Sequence, residues 1–419
     1  MGWAASCVVV GCIAGSFMAG PVAFRWGRKG ALFTCSVVFF ISAVGSAVAT
    51  DFTVYIIFRI IGGWAVGAAC IICPMYMSEI SPSAYRGRAV SCFQQSVIIG
   101  QTVIFYINFL IARGMTDAWL ADMGWRVMLG SEVIPAVLFG FMLFTIPESP
   151  RYLVMKGKVE KAREVFAKIS NPEHADKLVE AVQNSLVQDE ANKSKKVSLM
   201  APGMIQLVAL GSFIIVAQQF SGIDVIMYYA PEILKPIAGT EGALFQTTFI
   251  GVTFIIGNII CMFLIDRVGR IPLMVWGTVG CALGMGVVGA AFYSQDPGYG
   301  ALAGIVIYAL SYSISWGCVS WTLLSEIFPN SIRDRAMSFA GGCKFVAGFL
   351  ITMFFPILNE NAFLVEKFHG AFTFWMFAIL ALLSVIVIKI FVPETKGVAL
   401  EEMQEHMVSK LKRFSLKKA

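Results

Sequence analysis

Charge is what this sequence has little of. Of its 419 residues, 14% are Asp, Glu, Lys or Arg, against about 25% in a typical soluble domain. With 58% hydrophobic residues, the deficit excludes an ordinary soluble domain and points to a polytopic membrane protein. A nucleotide-binding Gly-rich loop and a nucleophile–base constellation are also missing, so no enzyme activity and no cofactor are expected. The ten cysteines are scattered. Their one close pair, Cys70 and Cys73, lies in an apolar segment without polar ligand partners, which reads as packing rather than metal or redox chemistry. The N-terminus lacks a basic n-region and a clear cleavage site, so its apolar run reads as a span and not a signal peptide. Nothing here calls for a nucleic acid.

What is present is a series of apolar runs. Eleven are long enough to cross a bilayer: 3–24, 31–49, 52–77, 90–111, 126–146, 204–230, 243–265, 272–293, 299–328, 336–358 and 372–392. The connections between them alternate in charge. One set, with the C-terminal tail, holds 26 of the 32 Lys and Arg residues. The opposite set holds only Arg113, Lys235 and Lys367, and Arg59, Arg126 and Lys344 lie within or beside spans. The basic set is therefore expected to be cytoplasmic, with the C-terminus inside. Four regions follow: an N-terminal bundle over 1–147, a cytoplasmic helical linker over 148–202, a six-helix bundle over 203–392 and a cytoplasmic tail over 393–419.

The run 204–230 carries a polar stripe. Gln218, Asp224 and Tyr228 are six and four residues apart, which on one helix places them roughly on one face, with Gln219 on its flank. Polar groups in a membrane helix need a partner or a watery cavity. Two readings fit: hydrogen bonds that hold helices together, or the wall of a site for a polyhydroxylated solute.

The sequence also repeats itself. Ser78-Glu79-Ile80-x-Pro82-x-x-x-Arg86-x-Arg88 returns as Ser325-Glu326-Ile327-x-Pro329-x-x-x-Arg333-x-Arg335. Gly27-Arg28 returns as Gly269-Arg270, and Pro147-Glu148-Ser149 as Pro393-Glu394-Thr395. Two similar halves in one orientation are the pattern of a parallel-repeat transporter. Two spans precede Gly269-Arg270 but only one precedes Gly27-Arg28. The expectation is a twelve-span design without its first helix, with Met1 internal to a longer reading frame.

Several motifs carry a family resemblance over nearly the whole chain. They are Trp26-Gly27-Arg28-Lys29, Pro74-Met75-Tyr76, Pro147-Glu148-Ser149-Pro150-Arg151, Gln218-Gln219-Phe220-x-Gly222-Ile223, Asp266-Arg267-x-Gly269-Arg270, Ser325-Glu326-Ile327-Phe328-Pro329 and Pro393-Glu394-Thr395-Lys396-Gly397. The sequence resembles the sugar porter family of the major facilitator superfamily. The resemblance implies an all-α membrane protein with the two-bundle major facilitator fold, here with eleven transmembrane helices. It implies a monosaccharide or polyol carried between the halves by alternating access, and protons as the coupling ion. It also implies a monomer in the plasma (inner) membrane. Gln94, Gln218, Gln219, Tyr228 and Trp321 match the family's sugar contacts. Taken alone, Trp321 reads as core or interface and Gln94 as a helix–helix bond.

Other site positions depart from the bacterial proton symporter of the family that the chain most resembles. Asp224 stands in place of Asn, Lys344 in place of Gln, Phe345 in place of Trp, and Phe254 and Gly348 in place of Asn. Asp224 and Lys344 are expected either to pair with each other or to touch substrate, and a free Lys344 would suit a sugar acid. Arg59 and Glu132 resemble two members of a proton-coupling trio whose third member lies on the first helix. They read equally as a structural pair.

At the cytoplasmic ends, Arg28, Arg88, Arg270 and Arg335, with Asp266, are expected to form latches with Glu79, Glu148, Glu326 and Glu394. Phe24 replaces the acidic or amide residue usual before the first of these arginine turns. Alternatives to symport are an uncoupled facilitator, a sugar-acid transporter, an inactive form, or a sensor, and the short tail after Val392 weighs against the last.

Overall fold

The computed structural model describes residues 2–81, 86–169, 175–184, 198–200, 204–296, 298–328, 332–392 and 394–396, apart from the side chains of 86–91, 266, 333 and 334. Every regular element among them is helical. They are α1 (Gly2–Ala47), α2 (Phe52–Ile80), α3 (Arg86–Ala112), α4 (Val133–Thr145), α5 (Pro150–Met155), α6 (Val159–Ile169), α7 (Met204–Phe220), α8 (Ile223–Val268), α9 (Arg270–Tyr293), α10 (Gly298–Tyr312), α11 (Cys318–Ile327), α12 (Arg333–Asn359) and α13 (Phe372–Phe391), with shorter segments between some of them.

Nine helical stretches are long and apolar enough to cross a membrane. Two of them are long enough for two spans each: α1, with 46 residues, and the 62-residue stretch Met204–Ile265, made of α7 and most of α8; at about 1.5 Å per residue both exceed twice a ~30 Å hydrocarbon core. Each breaks at a glycine: Gly27 at φ 84°, ψ 169° and Gly239 at φ 68°, ψ 179°. Such backbone favours a residue without Cβ. In α1 the break is a reversal. Val8 and Cys12 lie against Gly63 and Gly67, so the first half runs parallel to α2. Ser42 abuts Gly62 while Gly45 abuts the Phe58 ring, so the second half runs antiparallel to α2; Ser42 Oγ also donates to the Phe58 carbonyl at 2.8 Å. Counted this way, the described residues hold the eleven spans expected from sequence.

Two boundaries differ from expectation. The run 204–230 is not one helix. α7 stops at Phe220, and α8 starts after Gly222 at φ 94°. Conversely, the helix continues through Pro231 and Pro236 to the break at Gly239, where a connection was expected.

Two compact units divide the chain. One comprises Met1–Ser6, Val97–Asp117 and Val197–Ala419; the other comprises Cys7–Ser96 and Ala118–Lys196. In the first, a continuous apolar core joins α7 to α13 through residues such as Ile214, Ile226, Met285, Trp316 and Phe377. In the second, Ala19, Ala23, Leu32, Ala65, Ala68 and Leu143 form a core of small residues, which lets helix backbones approach closely. Within that unit, α5, α6 and helix 175–184 share a small core of Leu153, Val165, Phe166 and Val179. α6 also carries an Arg163–Asp176 ion pair at 2.6 Å, exposed enough to add little stability.

Candidate functional site

The break between α7 and α8 builds the site. Gln218 and Gln219 end α7 and are both 3% exposed. Ser221 Oγ donates back to the Gln218 carbonyl at 2.6 Å and shares a hydrogen bond with the Tyr308 hydroxyl at 3.1 Å. Gln218 Nε2 donates to the Trp316 carbonyl at 2.8 Å. Trp316 belongs to a π-helical turn, Ser313–Gly317, and such a turn departs from the i→i−4 ladder and is frequent at functional sites. Among the described residues, the buried Trp316 Nε1 and Ser320 Oγ have no hydrogen-bond partner. Gln218 Oε1 closes no hydrogen bond of normal geometry, although the Tyr312 hydroxyl is a polar neighbour. Buried polar atoms are nearly always satisfied, so a cluster of open ones marks a place for a hydroxyl-bearing ligand or water.

The expected stripe does not survive the helix break. Gln219, the flanking residue, is the one that reaches Asp224: its Nε2 donates to Asp224 Oδ2 at 2.5 Å. Tyr228 is 44% exposed.

Asp224 and Lys344 do not form an ion pair within 4.0 Å. Lys344 acts on the Asp224 carboxylate through space. Its ammonium lies 5.8 Å from the ring centroids of both Trp321 and Phe345. This is within cation–π range, which gives an ammonium some compensation away from water. The expected Trp321 platform is therefore partly covered by a cation.

Gly348 explains one departure by another. A Cβ there would lie 2.5 Å from Asp224 Oδ2 and 3.0 Å from Gln219 Nε2. The Asp224–Gln219 pair occupies the volume a side chain at 348 would need. Gly348→Ala is expected to cost about 1–3 kcal/mol through overpacking. Adding Asp224→Ser, which shortens the obstructing group, should recover part of that loss in thermal melts. Equal melting of Gly348→Ala and wild type would contradict the packing.

The profile described as "Sugar (and other) transporter" matches residues 1–407. The chain belongs to this family. The transporter is 38% identical over 423 residues to the D-xylose-proton symporter of Escherichia coli strain K12, covering 96% of this chain and 85% of that protein. It is 33% identical over 402 residues to the arabinose-proton symporter of Bacillus subtilis strain 168, again covering 96% and 85%. Among solved structures, the inward-open xylose transporter from E. coli matches at a TM-score of 0.85 and 35% identity, covering 96% of this chain and 88% of that one.

In this sugar transporter the repeated arginines build two similar networks. Arg28 Nε and Nη2 grip Glu79 at 2.9 and 2.7 Å, and Ser149 Oγ donates to the same carboxylate at 2.5 Å. Arg270 Nη2 bonds Glu326 at 2.9 Å, and Thr395 Oγ1 donates to Glu326 at 2.5 Å. Glu148 and Glu394 do something sequence did not show: they cap backbone. Glu148 accepts from the N–H groups of Arg28 and Lys29 at 2.9 and 3.1 Å. Glu394 accepts from those of Arg270 and Ile271, both at 2.9 Å. Burial pushes the Glu394 carboxyl up, but its backbone N–H bonds to Arg270, Lys396, Ile271 and Thr395 outweigh this and hold it below the usual carboxylate range. Both glutamates abut the strained glycines, Gly27 and Gly269.

The ring of Phe24 lies 4.8 Å from Lys156 Nζ. Arg335 is exposed, and the side chains of Arg88 and Asp266 lie outside the described residues. Arg59 and Glu132 stand 3.8 Å apart, with Glu132 half exposed, which is a loose pair. Gln94 belongs to the same unit as that pair and is half-buried.

Proposed function

We propose that the protein carries a monosaccharide or related polyol across the plasma (inner) membrane by alternating access and proton symport. The carrying observation is the buried Gln218–Gln219 pair beside the open Trp316 indole N–H and Ser320 hydroxyl. Amides both donate and accept, as sugar hydroxyls do. Gln94, Gln218, Gln219, Tyr228, Trp321 and Phe345 contact the sugar, and Asp224 and Lys344 set the electrostatics around it. Proton coupling is supported by relatives named for xylose-proton and arabinose-proton symport. The Arg28–Glu79 and Arg270–Glu326 networks act as latches that hold one state and part in the other. The basic connections support a cytoplasmic C-terminus, and the protein works as a monomer.

A sugar acid is the second reading, because Lys344 has no carboxylate within ion-pair distance among the described residues. The buried amides of Gln218 and Gln219 match hydroxyls in donors and acceptors, which favours a neutral sugar as the substrate. Counterflow in proteoliposomes separates the two. Labelled D-xylose, L-arabinose, D-glucose or myo-inositol should exchange, and D-glucuronate should not. Exchange of glucuronate alone, or of no sugar, contradicts the proposal.

A further inference from the structure

Asp224 is the carboxylate in direct contact with the amide pair. Its Oδ2 accepts from Gln219 Nε2 at 2.5 Å. The carboxylate packs against the backbone of α12, where a Cβ at Gly348 would lie 2.5 Å from Oδ2. The ionisable groups that face it are Lys344 from α12 and Tyr308 and Tyr312 from α10. The two tyrosines are fully enclosed by apolar neighbours such as Cys281, Met285 and Phe254, and stay neutral at physiological pH. Lys344 is the one cation among these groups.

We propose that Asp224 is the proton-carrying group of the transport site and that Gln219 links its proton to the sugar. This rests on the sugar-transport reading. In the sugar-free site, Gln219 spends its amide N–H on the Asp224 carboxylate, which favours the ionised form. A sugar hydroxyl that takes this N–H leaves the carboxylate without its donor. Asp224 then binds one proton from water at a carboxylate oxygen, and no other group changes charge. In reverse, protonated Asp224 releases Gln219 to the sugar. Each ligand thus strengthens the other, as linkage requires. Proton and sugar load together and leave together, which is symport. Lys344 sets the pH at which this occurs, because an ammonium nearby opposes protonation.

The test is calorimetric titration of purified protein with D-xylose, L-arabinose, D-glucose and myo-inositol in buffers of different ionisation enthalpy. Wild type should take up about one proton per sugar bound above the carboxyl's midpoint, with affinity falling up to about tenfold per pH unit there. Asp224→Asn should bind without proton uptake and without pH dependence. Lys344→Met, which keeps Asp224, should move the pH midpoint of wild-type binding upward. Proton uptake that persists in Asp224→Asn overturns the proposal, as does an unmoved midpoint in Lys344→Met. Wild-type sugar binding without proton uptake overturns this inference alone. A wild type that binds none of the sugars overturns the transport reading and this inference with it.

Discussion

Arg28→Ala is expected to lower the thermal unfolding midpoint of the purified protein by roughly 5 °C, the largest stability loss of any single change considered. Both partners of the Arg28–Glu79 pair are buried, with side chains 10% and 7% exposed. The guanidinium holds Glu79 in two bonds, at 2.9 and 2.7 Å. Removing one member of such a pair leaves an uncompensated buried charge and costs about 3–5 kcal/mol. Ser149 remains as a donor to Glu79, but one hydroxyl does not replace a cation. Arg28→Lys should rescue only part of the loss, since an ammonium cannot reproduce the planar fork. The double change Arg28→Met with Glu79→Leu should melt nearer to wild type than Arg28→Ala does, because no charge is left stranded. Arg270→Ala should cost less, because Arg270 and Glu326 are more exposed at 13% and 22%. An Arg28→Ala protein that melts with wild type would contradict the buried-pair account.

Gln219→Leu is expected to weaken sugar binding about 100-fold, the largest functional loss. Leucine is close to glutamine in volume but can neither donate nor accept. The change removes the hydrogen bonds that the amide makes to a sugar hydroxyl, and a polar substrate group left unpaired in a dry site costs about 1–3 kcal/mol. The fold should suffer less than in Arg28→Ala. Asp224 loses its 2.5 Å donor but can take up a proton and become neutral, which removes most of the penalty. Isothermal titration and thermal melting of the same preparation check both halves. Sugar affinity within twofold of wild type would show that Gln219 does not face the substrate.

The spans were legible because hydrophobicity alone marks them. The repeat made it legible that Arg28 and Arg270 meet glutamates at the span ends, since the same residue types recur at the same spacing, but Glu79 and Glu326 were not singled out as their partners. It did not reveal that Glu148 and Glu394 accept from backbone N–H groups. A motif names side chains, whereas the need for a cap arises from the glycine turns at Gly27 and Gly269.

The reading of Gln218, Asp224 and Tyr228 as one face assumed a continuous helix. Gly222 in the left-handed region interrupts it, and a single glycine within an apolar run gives no warning of that. An Asp224–Lys344 ion pair was one of two expectations, beside contact with substrate, because buried charges usually pair. Gln219, five residues before Asp224 in the chain, donates to the carboxylate, and the lysine ammonium lies 5.8 Å from the centroids of two aromatic rings. Trp316 went unnoticed. Its role comes from a π-helical turn that frees its carbonyl for Gln218, and periodicity carries no signal of such a turn.

The central claim is that this sugar transporter loads a proton with its sugar. The direct measurement is uptake of labelled D-xylose, L-arabinose, D-glucose and myo-inositol into proteoliposomes with and without an inward proton gradient. The account predicts that at least one sugar accumulates above its outside concentration when the gradient is imposed, and that a protonophore collapses the accumulation to equilibrium. Uptake that reaches the same equilibrium level with and without the gradient would contradict it.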